Sequence, residues 1–174
     1  PLITIAIPTY NRAKFLENLL SHIAPQAKEL DGMVQLCISN NCSPDNTHEV
    51  VAGFQKKYPG LIDYSENKEN LGADRNLLKL METARGNFIW PLGDDDEVVD
   101  NGIKKVADFI RSYCNKNTGL IMLGHKSYFV DKKTGKEVVY YDTIEKDKPK
   151  TYKIDLKEII GIRFNNSFMS VLLI

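Results

Sequence analysis

Cysteine is scarce in this 174-residue chain: there are three, Cys37, Cys42 and Cys114. So few, and an odd number, exclude a disulfide scaffold and fit a reducing compartment. The spacing of Cys37 and Cys42 alone does not make a metal site. Net charge is absent too, because 23 Lys and Arg balance 23 Asp and Glu. The usual sign of a bulk nucleic-acid or anionic-membrane binder is therefore missing, and no nucleic-acid partner is expected. No apolar run approaches the ~18 residues of a membrane span, so no transmembrane segment is expected. Pro1 to Ile7 show neither a basic start nor a small-residue cleavage site, so no signal peptide is expected. Histidine is rare: His22 and His48 read as helix-face residues, and a lone His125 at a strand end reads as structural before catalytic.

What is present is an ordinary globular composition, 43% hydrophobic, of a length that one domain spanning 1–174 accounts for. Short apolar runs alternate with helical periodicity. Leu2 to Pro8, Val34 to Ser39, Leu61 to Ser65, Phe88 to Leu92 and Leu120 to Leu123 read as strands. Between them, Arg12 to Ile23 predicts a helix with Phe15, Leu19, Leu20 and Ile23 on one face. A second helix, capped by Asp45 or Asn46, runs to about Tyr58. A third spans Asp74 to Ala84, with Leu77, Leu78 and Met81 inward and Gly86 at its C-terminal cap; a fourth spans Gly102 to Tyr113. Beyond Gly124, Tyr128 to Val130 and Val138 to Tyr141 flank a polar tip and predict a β-hairpin. Asp142 to Lys153 reads as a charged loop, Asp155 to Ile160 as one or two helical turns, and Phe168 to Ile174 as an apolar end. The expectation is an α/β fold with a mostly parallel, doubly wound, Rossmann-like sheet flanked by helices.

Such sheets bind ligands beyond the carboxyl ends of their strands. The first strand ends in Pro8-Thr9-Tyr10-Asn11-Arg12, either a ligand loop or a turn with Asn11 as helix cap. The second ends in Ser39-Asn40-Asn41-Cys42-Ser43-Pro44-Asp45, either a binding loop or a loop and cap. After the third, Gly72 suggests a special backbone angle or a close approach, and Arg75 either faces a ligand or is solvated. The fourth ends in Gly93-Asp94-Asp95-Asp96-Glu97, where adjacent acids repel one another. Nothing nearby in sequence neutralises them. Mg²⁺ or Mn²⁺ would, taking one or two carboxylates plus substrate phosphates; the alternative is a solvated acidic turn.

Together and in this order, Ile7 to Arg12, Ser39 to Asp45, Asn70-Leu71-Gly72 with Arg75-Asn76, and Gly93 to Asp96 resemble the GT-A glycosyltransferases of the inverting family 2. The resemblance covers roughly residues 2 to 125 and implies a nucleotide-diphospho-sugar donor and a divalent metal. It implies that Pro8, Thr9 and Tyr10 line the nucleobase pocket with Arg12 beside it, and that Arg75 approaches the nucleoside or diphosphate. It implies Asp96 as metal ligand and Asp94 as the other end of the metal motif, near the ribose or sugar, with Asp95 between them. Where the family has an aspartate that reads the base, this chain has Asn40 and Asn41. An amide both donates and accepts, so its oxygen could still meet a uracil imide; a UDP-sugar is the first expectation.

The resemblance further implies transfer to a saccharide or lipid-linked acceptor, in polysaccharide or glycolipid synthesis at the cytoplasmic face of a bacterial membrane. It puts the general base beyond the strand that Phe168 to Ile174 resembles, so the expectation is the donor-binding portion of a longer protein, inactive in transfer by itself. Two rivals remain: a non-catalytic nucleotide-sugar or protein-binding module, and a nucleotidyltransferase. The second is disfavoured because Pro8 to Arg12 contains no glycine-rich phosphate loop.

Overall fold

The computed structural model describes residues 1–114 in full, together with the backbone strands at 120–122, 126–130, 137–142 and 171–173. The chain divides into two compact units, Pro1–Ile121 with Leu172–Ile174, and Met122–Val171.

In the first unit, β1 (Ile3–Thr9), β2 (Val34–Asn40), β3 (Ile62–Glu66) and β4 (Phe88–Pro91) are mutually parallel. They alternate with α1 (Ala13–Glu29), α2 (Thr47–Lys57), α3 (Ala73–Thr83) and α4 (Gly102–Tyr113). With β5 (Leu120–Met122) and β8 (Val171–Leu173) they form a six-stranded sheet in the order β3-β2-β1-β4-β8-β5. β8 pairs antiparallel to β4 through Ile89 and Leu173. The chain thus builds outward from β1 to β3, then crosses to the other side of β1 for β4. That reversal is the switch point at which open sheets form a ligand crevice.

β1 is buried along nearly its whole length, which its continuous apolar run requires. On one face of the sheet, Ala6 and Cys37 pack against Leu80 of α3, with Ile89 beside them. α1 lies against α2 and α4 and contributes buried Leu16, Leu19, Leu20 and Ile23. Phe15 departs from the predicted inward face: it is 56% exposed, and Leu16 takes the buried position. α1 also runs through Pro25 to Glu29, farther than predicted, with Ala24 and Ala27 still buried. Gln26 fastens it to α4 by donating to the Val99 carbonyl and accepting from the Ile103 N–H, both at 3.3 Å.

α3 faces the sheet differently from the sequence expectation. Leu78 is 61% exposed, and the buried residues are Asn76 and Leu80. The sheet face beneath them carries Ser39 beside the Ala6 and Cys37 cluster, so one polar and one apolar residue suit it. Ser39 Oγ donates to Asn76 Oδ1 at 2.7 Å, and Cys37 Sγ lies 3.0 Å from Thr83 Oγ1. Gly86 is not the cap of α3, which ends at Thr83 with Ala84 as its C-cap. It is required by packing, because a Cβ there would come within 2.4 Å of the Thr4 nitrogen on β1.

The second unit contains an antiparallel hairpin of β6 (Lys126–Val130) and β7 (Glu137–Asp142), with a register shift between Ser127 and Tyr128. The hairpin predicted from Tyr128 to Tyr141 is present and slightly longer. Asp142, predicted to open a loop, ends β7; the hairpin tip, His125, the rest of the segment predicted to Lys153 and that at Asp155–Ile160 lie outside the described residues. Among the described residues no helix is long and apolar enough to cross a membrane.

Candidate active site

The two pairings of β1 end at different points. Pairing with β4 stops at Ala6 and Pro91, whereas pairing with β2 continues to Thr9 and Asn40. Pro8, which has no N–H to give, is tolerated beyond the end of the β4 ladder. Beyond the end of the shorter ladder, Thr9 and the Asp94 segment are neighbours.

They meet directly. Thr9 Oγ1 donates to Asp94 Oδ2 at 2.7 Å. Arg12, the residue before α1, bridges Asp94 Oδ1 at 3.1 Å and Asp95 Oδ2 at 2.8 Å with one guanidinium nitrogen. The guanidinium also lies over the exposed Phe15 ring, 5.6 Å from its centroid. The acids thus acquire a positive partner from a point far away in sequence, a role that sequence order could not reveal. Asp94 is 5% exposed, and burial pushes its carboxyl upward; the hydrogen bonds from Thr9 and Arg12 oppose that shift without cancelling it. On Arg12 the hydrogen bond to Asp94 outweighs desolvation and holds the charge more firmly. The same contact therefore favours charge on the arginine, while burial dominates on the aspartate.

Asp96 turns back on its own loop. Its Oδ2 accepts from the Gly93 N–H at 2.7 Å, and its N–H donates to the Gly93 carbonyl at 3.2 Å. A Cβ at Gly93 would lie 3.0 Å from Asp96 Oδ2 and 3.1 Å from Asp95 Oδ1, so glycine leaves room for both carboxylates. Among the described residues no group of three or more His, Cys, Asp or Glu forms a metal cage. The donor chemistry nevertheless fits a hard cation: clustered carboxylate oxygens, with Asp95 exposed, suit an ion that completes its shell with ligand phosphates and water.

The neighbouring strand ends are tied together. Asn11, at φ 54°, donates its N–H to Ser43 Oγ at 2.9 Å, so it ties two loops rather than capping α1. Asp45 serves both helices at once. Its Oδ2 accepts from the Ala13 N–H at 2.8 Å, and its Oδ1 accepts from the Thr47 hydroxyl at 2.6 Å and the Thr47 N–H at 3.2 Å. Burial opposes the charge on Asp45, but these bonds prevail and hold its carboxyl below the usual carboxylate range. Cys42 sits at φ 62°, a left-handed conformation costly for a residue with a side chain and typical of over-determined loops at functional sites.

The remaining predicted residues are distributed around this centre. Tyr10 is 44% exposed, and Pro8 precedes it, half-buried. Asn40 is buried, donating to the Tyr64 hydroxyl at 2.9 Å and accepting from the Ser43 N–H at 3.0 Å. Asn41 is also buried and bonded to the loop before α3. Gly72 ends that loop at φ 80°, where glycine is the natural occupant. Arg75 is exposed in the first turn of α3 and makes no ion pair with the described residues. Sequence reasoning missed Asn67, Asn70 and Asn76 as a framework; their density between Asn67 and Asn76 was the available signal.

The profile described as glycosyl transferase family 2 matches residues 4–172. The chain belongs to glycosyl transferase family 2. It is 38% identical over 112 residues to abequosyltransferase RfbV of Salmonella typhimurium, covering 64% of this chain and 33% of that protein. It is 24% identical over 172 residues to the GalNAc(5)-diNAcBac-PP-undecaprenol beta-1,3-glucosyltransferase of Campylobacter jejuni, covering 98% of this chain and 51% of that protein. The chain therefore spans about a third to a half of the length of these curated relatives.

Family 2 membership agrees with the architecture. The mannosyltransferase PcManGT from Pyrobaculum calidifontis, solved in complex with GDP-Man and Mn²⁺, superposes with a TM-score of 0.60 at 21% identity, covering 69% of this chain and 34% of that one. S. aureus TarS in complex with UDP-GlcNAc superposes at 0.59 and 23% identity, covering 65% of this chain and 32% of that one. These likenesses identify the fold as GT-A, with its parallel sheet flanked by helices.

Proposed function

We propose that this family 2 chain binds a nucleotide-diphospho-sugar at the crevice between β1 and β4, as the donor-binding part of an inverting glycosyltransferase. The observation that carries this reading is the cluster of Thr9, Arg12, Asp94 and Asp95, assembled from two adjacent strand ends at the switch point. Pro8 and Tyr10 form the side of the crevice offered to the base, and Arg75 supplies a positive charge for the diphosphate. Asp96 and Asp94 would hold Mg²⁺ or Mn²⁺. When bound, the cation offsets the negative charge that builds on a departing nucleoside diphosphate. Asp94, kept in place by Thr9 and Arg12, orients the sugar end of the donor, and Asp95 lies at the exposed lip.

A UDP-sugar is the preferred donor in this reading, and the acceptor is a hydroxyl of a saccharide or lipid-linked saccharide. The undecaprenol-linked saccharide in the Campylobacter relative's name supports a lipid-linked acceptor and a role in bacterial polysaccharide or glycolipid synthesis, which this reading sets at the inner face of the cell membrane. Calorimetric titration with UDP, GDP and CDP, with and without Mn²⁺, tests the site. The expected outcome is metal-dependent binding that disappears in an Asp96→Ala protein that remains folded. Binding that is indifferent both to Mn²⁺ and to Asp96 would remove the cation from the reading. No binding of any diphosphate by the folded wild-type chain would sink the donor site.

A further inference from the structure

We propose that Asn41 is a positioning residue for nucleotide binding, holding the loop that begins α3 and making no contact with the base. The proposal rests on the donor-binding reading above. Asn41 is 3% exposed, at the end of β2. Its Nδ2 donates to Asn70 Oδ1 at 2.8 Å and to the Gly72 carbonyl at 3.4 Å. Its Oδ1 accepts from Asn67 Nδ2 and from the Leu71 N–H, both at 2.9 Å. A carboxamide has two N–H donors and two acceptor lone pairs. All four are engaged within the protein, leaving none for the edge of a base.

The bonds converge on one segment. Asn70 Oδ1 also accepts from the Gly72 N–H at 2.9 Å, closing the turn that Gly72 completes at φ 80°. Asn67 continues the network by donating to Asn76 Oδ1 at 2.8 Å and accepting from Lys79 Nζ at 2.5 Å. Asn76 in turn donates to the Ser39 carbonyl at 3.1 Å, returning to β2. A satisfied buried network of this kind fixes one arrangement. It sets where α3 starts, and hence where Arg75 and the first free N–H groups of that helix stand relative to the crevice.

Asn41→Asp separates the two possible roles. A carboxylate keeps the acceptors for Asn67 and Leu71 but sets an oxygen against Asn70 Oδ1 and the Gly72 carbonyl. Titration of wild type, Asn41→Asp and Asn70→Ala with UDP, GDP and CDP in Mn²⁺ measures the effect. The expected result for Asn41→Asp is a weaker affinity for all three by a common factor of roughly tenfold, the scale of one lost buried hydrogen bond. Asn70→Ala, at an exposed position that cannot unfold the core, should give a smaller common loss. Amide hydrogen exchange at Leu71 and Gly72 should accelerate in both. A change confined to one base, including tighter UDP binding by the Asn41→Asp protein, would overturn the proposal, since a base reader behaves that way. Faster exchange with unchanged affinities would overturn it as well. Wild-type protein that binds no diphosphate would overturn the donor site itself, and this role with it.

Discussion

Asp94 carries opposed demands. It is nearly buried, and its burial disfavours charge, yet Thr9 and Arg12 both address its ionised form. Because its folded pKa lies above the ordinary value, its contribution to stability is fully present below that value and is lost as pH rises through the folded one. At neutral pH burial of the ionised carboxylate therefore costs the fold something, which Thr9 and Arg12 offset in part. Asp94→Asn is expected to change unfolding free energy by no more than about 1 kcal/mol in urea denaturation while weakening metal-dependent UDP binding tenfold or more by calorimetry. A collapse of stability in that variant would show the ion pair to be structural. The acids were legible in the sequence as a cluster; their arginine partner was not, because an ion pair between residues 12 and 94 exists only after β1 and β4 become neighbours.

At the scale of elements, Asp45 joins two helices by accepting hydrogen bonds at the starts of both α1 and α2. Removing such a cap costs about 1–2 kcal/mol, and Asp45→Ala should lose that much or more in urea denaturation at neutral pH. Its folded pKa is lowered, so the stabilisation is present above the ordinary carboxylate range and is lost as pH falls through the folded value. The variant should accordingly lose less stability than wild type on acidification; an equal loss would place the acid sensitivity elsewhere. Gly86→Ala should also destabilise, by about 1–3 kcal/mol, since its Cβ would collide with the β1 backbone at Thr4. A midpoint unchanged in urea would mean that the 84–87 segment shifts freely. The element pattern was readable, because buried parallel strands and amphipathic helices carry different periods. The orientation of α3 was not: counting apolar residues turned Leu78 inward, whereas the sheet face selected Asn76 opposite Ser39 and Leu80 against Ala6 and Cys37.

For the whole molecule, a ligand held between β1 and β4 links strands that belong to opposite halves of the sheet order. Binding of this kind opposes global unfolding. UDP with Mn²⁺ at a hundred times its dissociation constant should stabilise the chain by about 2.7 kcal/mol, visible as a higher thermal midpoint that chelation by EDTA reverses. A midpoint indifferent to nucleotide and metal together would contradict a site in the folded chain.

The sequence by itself determined the class of fold, the order of β1 to α4, and the strand ends at which polar residues gather, because these follow from local periodicity and from the few residues that turns accept. It also carried the resemblance to family 2, which the match over residues 4–172 bears out. Only the tertiary structure decided which distant polar groups answer one another: Arg12 with Asp94 and Asp95, Asp45 with the start of α1, and Asn41 with the loop before α3. The physical reason is reach. A hydrogen bond forms within about 3 Å, and these partners stand 26 to 83 residues apart along the chain until the sheet brings them together.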